Sequence, residues 1–218
     1  MIRVVPAAEP PTFDARVRQP GLRAIAERVG EPATKKRPGP KRVPVATRRE
    51  DLKPEHFHPY WQEMSEDLLS AYGRICAYAC LYIERLTGAA TVDHWAPKST
   101  TWNRVYEWDN YRLACAILNA RKSDYEDVLD PFVVVDGLFA LDLVSLKAVS
   151  GPAAGEQTQA VKETIRRLHL DSSDYAEALG DYLEAYRSNH ISLAYVEKRA
   201  PFLARELRRQ GQLRAGDV

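Results

Sequence analysis

The sequence predicts an α+β protein: two short strands and a helix, followed by a β-hairpin, set in a mostly helical chain. Three observations predict it. Apolar residues recur every three or four positions from Pro59 to Thr87. β-rich stretches near 91–95 and 110–114 flank a long loop, with a helical pattern from about Cys115. The run "PFVVVDGLFALDLVS" places Asp136-Gly137 between two further β-rich stretches.

Taken in order, residues 1–50 read as an extended basic arm with one short helix in "PGLRAIAERVG", bracketed by Pro20 and Gly30. Between Pro32 and Arg49 lie Lys35, Lys36, Arg37, Lys41, Arg42, Arg48 and Arg49 with three prolines and no acid. Such a segment is either a solvated linker or an arm that contacts phosphate. Residues 51–150 form the central domain. Trp61, Met64, Leu68, Tyr72, Ile75, Ala79, Tyr82 and Leu86 suggest a long helix that Gly73 could divide and Gly88 could end. Residues 151–218 read as helical. Ala160, Val161, Ile165 and Leu168 share one face, and Tyr175, Leu179, Tyr182, Leu183 and Tyr186 another. Ser172 or Ser173 can cap the second of these helices, and Pro201 should kink or split the last. A second basic cluster, Lys198, Arg199, Arg205, Arg208, Arg209 and Arg214, lies near the C-terminus.

Composition bounds the function. With 45% hydrophobic and 28% charged residues among 218, the chain should fold and stay in solution. No apolar run approaches 18 residues, so no membrane partner is expected, and "MIRVVPAAEPPTF" lacks the apolar stretch of a secretory signal. Three cysteines make no disulfide framework, which points to a reducing cytoplasm. The formal net charge of +1 by itself predicts no nucleic-acid binding.

The stretch "TVDHWAPKS" carries the chemistry. Asp93 and His94 sit side by side where a strand interior would be apolar, and burying either costs several kcal/mol unless it is paired. Asn110 follows in "WDNYRLAC", and Asn119 and Lys122 in "LNARK". If the two strands pair and the helix packs on them, Asp93 and Asn119 converge as oxygen ligands for one hard cation, Mg²⁺ or Mn²⁺. His94 beside them could act as general base on a water. Lys122, at i+3 from Asn119, could meet a phosphate, and the Asn110 amide could bridge backbone groups to hold the loop.

"VDHWAPKS", "WDNYRLAC" and "LNARK" resemble the HNH endonucleases, whose ββα-metal core carries a D/H-H pair, an Asn and a final His or Asn at similar spacings. With "RICAYACLYIERLTG" before the motif and "DVLDPF" after it, residues 74–132 look most like PtuB-type HNH proteins. Those are the nuclease subunits of Septu anti-phage defence systems, which work with an ATPase partner, PtuA. The resemblance implies Asp93 and Asn119 as metal ligands, His94 as general base and Asn110 as the loop-orienting residue. It also implies DNA hydrolysis to 5′-phosphate and 3′-hydroxyl ends. The chain departs from the many HNH proteins that bind a structural zinc through two Cys-x-x-Cys pairs. Cys76 and Cys80 are spaced one residue too far, and Leu118 stands where the last of four cysteines would fall after Cys115. The apolar, helical character of "CAYACLYIERL" therefore argues against zinc, with a helix supporting the core instead.

Two other readings stay open at this point. The chain could be a DNA-binding subunit that is silent or gated by its partner, or a nuclease that acts on RNA. His56 and His58 have a metal-like spacing without a nearby third ligand and fit a helix entry better. Trp95 and Trp108 are expected to pack the strands, though one could stack on a base. Lys98 could touch phosphate or simply be solvated.

Overall fold

The computed structural model describes residues 1–32 and 42–217. The N-terminal segment is no free arm. Phe13 is fully buried and packs edge-on against Trp108 and Tyr111. From there a π-helical turn, Asp14–Arg18, runs into α1 (Gln19–Arg28), so the helix begins before Pro20. Gly21 in α1 lies against the ring of Tyr106, where a Cβ would come within 2.3 Å of ring carbons. Only a residue without a side chain fits. Lys35, Lys36, Arg37 and Lys41 of the basic window lie outside the described residues. Arg42 instead bonds Glu27 and the Tyr60 hydroxyl, while Arg48 pairs with Asp51 and Arg49 with Glu31.

The long helix expected over 59–87 is corrected. A 3₁₀ stretch, Tyr60–Met64, leads into α2 (Ser65–Ala71), and the helix ends there. Gly73 and Arg74 both adopt positive φ, 55° and 64°, a pair that an α-helix cannot continue through. The guanidinium of Arg74 donates to the carbonyls of Ile83 and Glu84. Residues 75–82 then fold back as a tight hairpin, with Ile75 bridged to Tyr82 and Cys76 N–H bonded to Leu81 O. All five residues of "CAYAC" are buried. A segment buried on every side shows no clean period, so apolar spacing alone could not separate hairpin from helix.

Behind this hairpin lies an antiparallel pair, β1 (Ala90–His94) and β2 (Tyr111–Cys115), in the register Asp93↔Arg112 and His94↔Tyr111. Helix α3 (Ala116–Lys122) follows β2 directly and packs on the pair. The 75–82 hairpin is pinned to β2 by Ala77 N–H bonding Leu113 O at 2.8 Å.

The hairpin expected around Asp136-Gly137 is corrected: the turn there joins no two strands, and a hairpin forms farther along the chain. Asp136-Gly137 forms a turn, with Gly137 at φ 81°, while "VVV" before it is not a strand and exposes Val133 and Val135. The ladder joins β3 (Phe139–Leu141) to β4 (Ala148–Ser150). Asp142 makes the turn between them, its carboxylate accepting from Val144 N–H and the Ser145 hydroxyl.

The rest is helical: α4 (Thr158–Leu168), α5 (Ser173–Arg187), α6 (Leu193–Arg199) and α7 (Pro201–Arg209). Val161, Ile165 and Leu168 are buried from α4, as are Tyr175, Leu179, Leu183 and Tyr186 from α5. Pro201 starts α7 after Ala200 breaks the helical path. Among the described residues the architecture is α+β, with two separate two-stranded antiparallel sheets. Among the described residues, no helix is long and apolar enough to cross a membrane.

Candidate active site

Successive residues of a strand face opposite ways, so Thr91 and Asp93 turn toward one side of β1 and Val92 and His94 toward the other. Helix α3 meets the first side. There the Asn119 amide nitrogen donates to the Thr91 hydroxyl at 3.1 Å, and that hydroxyl donates to Ala114 O at 3.0 Å. With its NH₂ group so engaged, the Asn119 carbonyl oxygen is left for another partner. Asp93 is 3% exposed. Its Oδ2 accepts from the buried Tyr78 hydroxyl at 2.5 Å, and its Oδ1 lies 3.8 Å from Lys122 Nζ. Burial holds the Asp93 carboxyl above its usual range, opposed by the Lys122 charge and the Tyr78 bond.

His94 is 4% exposed and fixed from three directions. Trp61 and Tyr111 meet its ring edge-on at 4.8 and 5.1 Å. Nε2 lies 3.0 Å from Val105 O, a carbonyl that also accepts from the Tyr111 hydroxyl. A carbonyl can only accept, so Nε2 carries the proton and Nδ1 carries a lone pair. Nδ1 is buried and has no hydrogen-bond partner in the protein. Burial, helped by the charges of Lys98 and Lys122, pushes the imidazole down to about 3, so it is neutral at ordinary pH.

Asn110 is fully buried and knits the loop after β1. Its Oδ1 accepts from Ala96 N–H at 2.7 Å, and its Nδ2 donates to Ala96 O and Arg104 O. These bonds fix the chain just past His94.

Asp93, His94 and Asn119 line one cleft of about 160 Å³, together with Pro54, Pro97, Lys98, Ser99, Ser123 and Asp124. Lys122 is not among the lining residues. Its side chain is fully buried and its Nζ donates to His94 O at 3.0 Å, so the reading of Lys122 as a phosphate contact is corrected. It braces the backbone of the dyad and balances Asp93. Lys98 is the lysine that borders the cleft, with Nζ 5.2 Å from the centre of the Trp61 ring.

Sequence reasoning missed Tyr78 and Trp61. Tyr78 reaches Asp93 across 15 positions from inside the misread hairpin, and no local signal marks it. Trp61 read only as an apolar position of a helix face. His56 accepts from Lys53 N–H in a 3₁₀ turn, and His58 packs on Tyr60. Trp95 bonds Val128 O, and Trp108 bonds Ala7 O.

Asp93 and Asn119 are the lining residues that could offer side-chain oxygens to a hard cation on the joined strand and helix. Among the described residues no group of three or more His, Cys, Asp or Glu side chains is placed to hold a metal ion. A cation in this cleft would therefore keep several waters or take phosphate oxygens, which suits Mg²⁺. The cysteines are split. Cys76 Sγ accepts from Cys115 N–H at 3.5 Å, and Cys80 Sγ accepts from Ile2 N–H at 3.4 Å.

The chain matches no protein-family model, and no curated protein or solved structure is significantly similar to it.

Proposed function

We propose that this chain is a metal-dependent endonuclease of the HNH kind, hydrolysing phosphodiester bonds in DNA. The observation that carries the reading is His94. Its ring is clamped with the proton on Nε2, while Nδ1 is buried without a partner, in a residue that lines a polar cleft. Support comes also from two paired strands leading straight into a helix, with Asp93 and Asn119 on the joined elements.

In this reading Nδ1 of His94, unprotonated at ordinary pH, takes a proton from an attacking water. Asp93 and Asn119 would hold one Mg²⁺ or Mn²⁺, which supplies charge neutralisation at the phosphate and leaving oxygens. Lys98 lends a positive charge at the cleft wall. Asn110 and Lys122 keep the backbone on either side of His94 in place. The sequence resemblance adds a role in anti-phage defence beside an ATPase.

A second reading is a nuclease held silent until a partner acts. One observation favours it: Lys122 and Tyr78 already balance Asp93, so an incoming cation must compete with them. Purified protein on plasmid DNA with Mg²⁺, Mn²⁺ or EDTA, beside His94→Ala, tests the first reading. Metal-dependent nicking that the substitution lowers by about a hundredfold or more is expected, the usual scale for a general base. Cutting that survives His94→Ala or EDTA would overturn the mechanism. Cutting only after an ATPase is added would select the gated form.

A further inference from the structure

Away from this cleft, Cys76 and Cys115 come together at the junction of the 75–82 hairpin, β2 and α3. Cys115 N–H donates to Cys76 Sγ at 3.5 Å. The Ala77 N–H bond to Leu113 O runs the two segments side by side. Both cysteines line a second cleft of about 210 Å³, walled by Ile117, Leu118, Tyr175 and Ala178. Cys115 is half-buried and Cys76 almost fully buried. Cys80 is engaged with Ile2 N–H instead, and it does not line this cleft.

We propose that Cys76 and Cys115 are a redox-modification site, closing to a disulfide when the folded protein meets a peroxide. Cys115 is the attacking thiol. The Cys76 hydrogen bond, with backbone N–H groups at the start of α3, holds its thiol below the ordinary range, while burial pushes Cys76 up. The Cys115 thiolate attacks one peroxide oxygen. An S–O bond forms, the O–O bond breaks and hydroxide leaves. The Cys76 sulfur then attacks the sulfenic sulfur; the S–S bond forms, the S–O bond breaks, and the hydroxyl departs as water with the Cys76 proton. Overall two thiols and one peroxide become one disulfide and two waters. The new bond would tie the hairpin that carries Tyr78 to the start of the helix that carries Asn119. This inference does not depend on the nuclease reading.

The test exposes the folded full-length chain to a modest excess of hydrogen peroxide, then blocks free thiols with iodoacetamide. Mapping of the non-reduced digest should find a peptide pair joined through Cys76 and Cys115. The link should persist in Cys80→Ser and vanish in Cys115→Ser. A Cys76–Cys80 link, an over-oxidised Cys115 without a link, or three alkylated thiols after exposure would each overturn it. The wild-type map decides the matter even if a variant fails to fold.

Discussion

Tyr78 is fully buried, and its hydroxyl donates to the Asp93 carboxylate at 2.5 Å. A hydrogen bond to a buried charged group is worth about 1.5–3 kcal/mol, more than a neutral one, because its loss leaves the carboxylate under-paired in a low dielectric. Tyr78→Phe keeps the ring and removes that bond alone. Its urea midpoint should show a loss of roughly 2 kcal/mol. A variant as stable as the wild type would mean that Lys122 supports Asp93 unaided. Asp93, His94, Asn110 and Asn119 were singled out by the sequence because their residue types sit badly inside strands and helices unless they are paired. Tyr78 was not, since an aromatic in an apolar run is ordinary core. Lys122 was named, but its direction was not readable: an exposed and a buried lysine look alike in sequence.

At the level of elements, β2 is held by Arg112 as much as by its ladder. Its guanidinium makes two parallel bonds to Asp130, at 2.7 and 2.6 Å, and lies 3.4 Å from the centre of the Phe132 ring. Nη1 donates to Asp109 O and Tyr111 O, so this buried charge is well satisfied. Removing one partner strands the other, at a cost of about 3–5 kcal/mol. Asp130→Ala should therefore be strongly destabilising by chemical denaturation, while the pair Arg112→Met with Asp130→Leu should recover much of the loss. If the double variant were no better than Asp130→Ala, the ion pair would owe its worth to more than mutual compensation. The positions of β1, β2 and α3 could be read almost to the residue, since two short β-rich stretches flank a loop and the second runs straight into a helical pattern. The hairpin at 75–82 could not, because two consecutive positive-φ residues and burial on all sides leave no period to read.

At the scale of the molecule, the C-terminal helices are interlocked with the centre. Tyr175 bonds Ala79 O, Arg121 pairs with Asp174, and Leu129 N–H bonds the Thr164 hydroxyl. Glu206 of α7 is fully buried and accepts from Leu141 N–H in β3, with Arg205, Arg209 and Gln210 around it. Glu206→Ala should cost about 3 kcal/mol by leaving this cluster unpaired. Because the contacts cross between regions, its unfolding should remain a single transition by both fluorescence and circular dichroism. Two separated transitions would show the C-terminal helices to be a unit of their own. The C-terminal arginines are occupied in the same way: Arg199 pairs with Glu84, Arg208 with Glu197 and Arg214 with Asp217.

By itself, the sequence determined the α+β class, the strand–strand–helix order around Asp93 and His94, and the split at Pro201. Those features follow from local chemistry: side-chain period, polar groups out of place, and a ring that cannot continue a helix. Only the tertiary structure decided which lysine borders the cleft, which His94 nitrogen is free, and that Cys115 meets Cys76 rather than joining Cys80. These depend on contacts between segments far apart in the chain, where direction and burial are set by what packs opposite rather than by any neighbour in sequence.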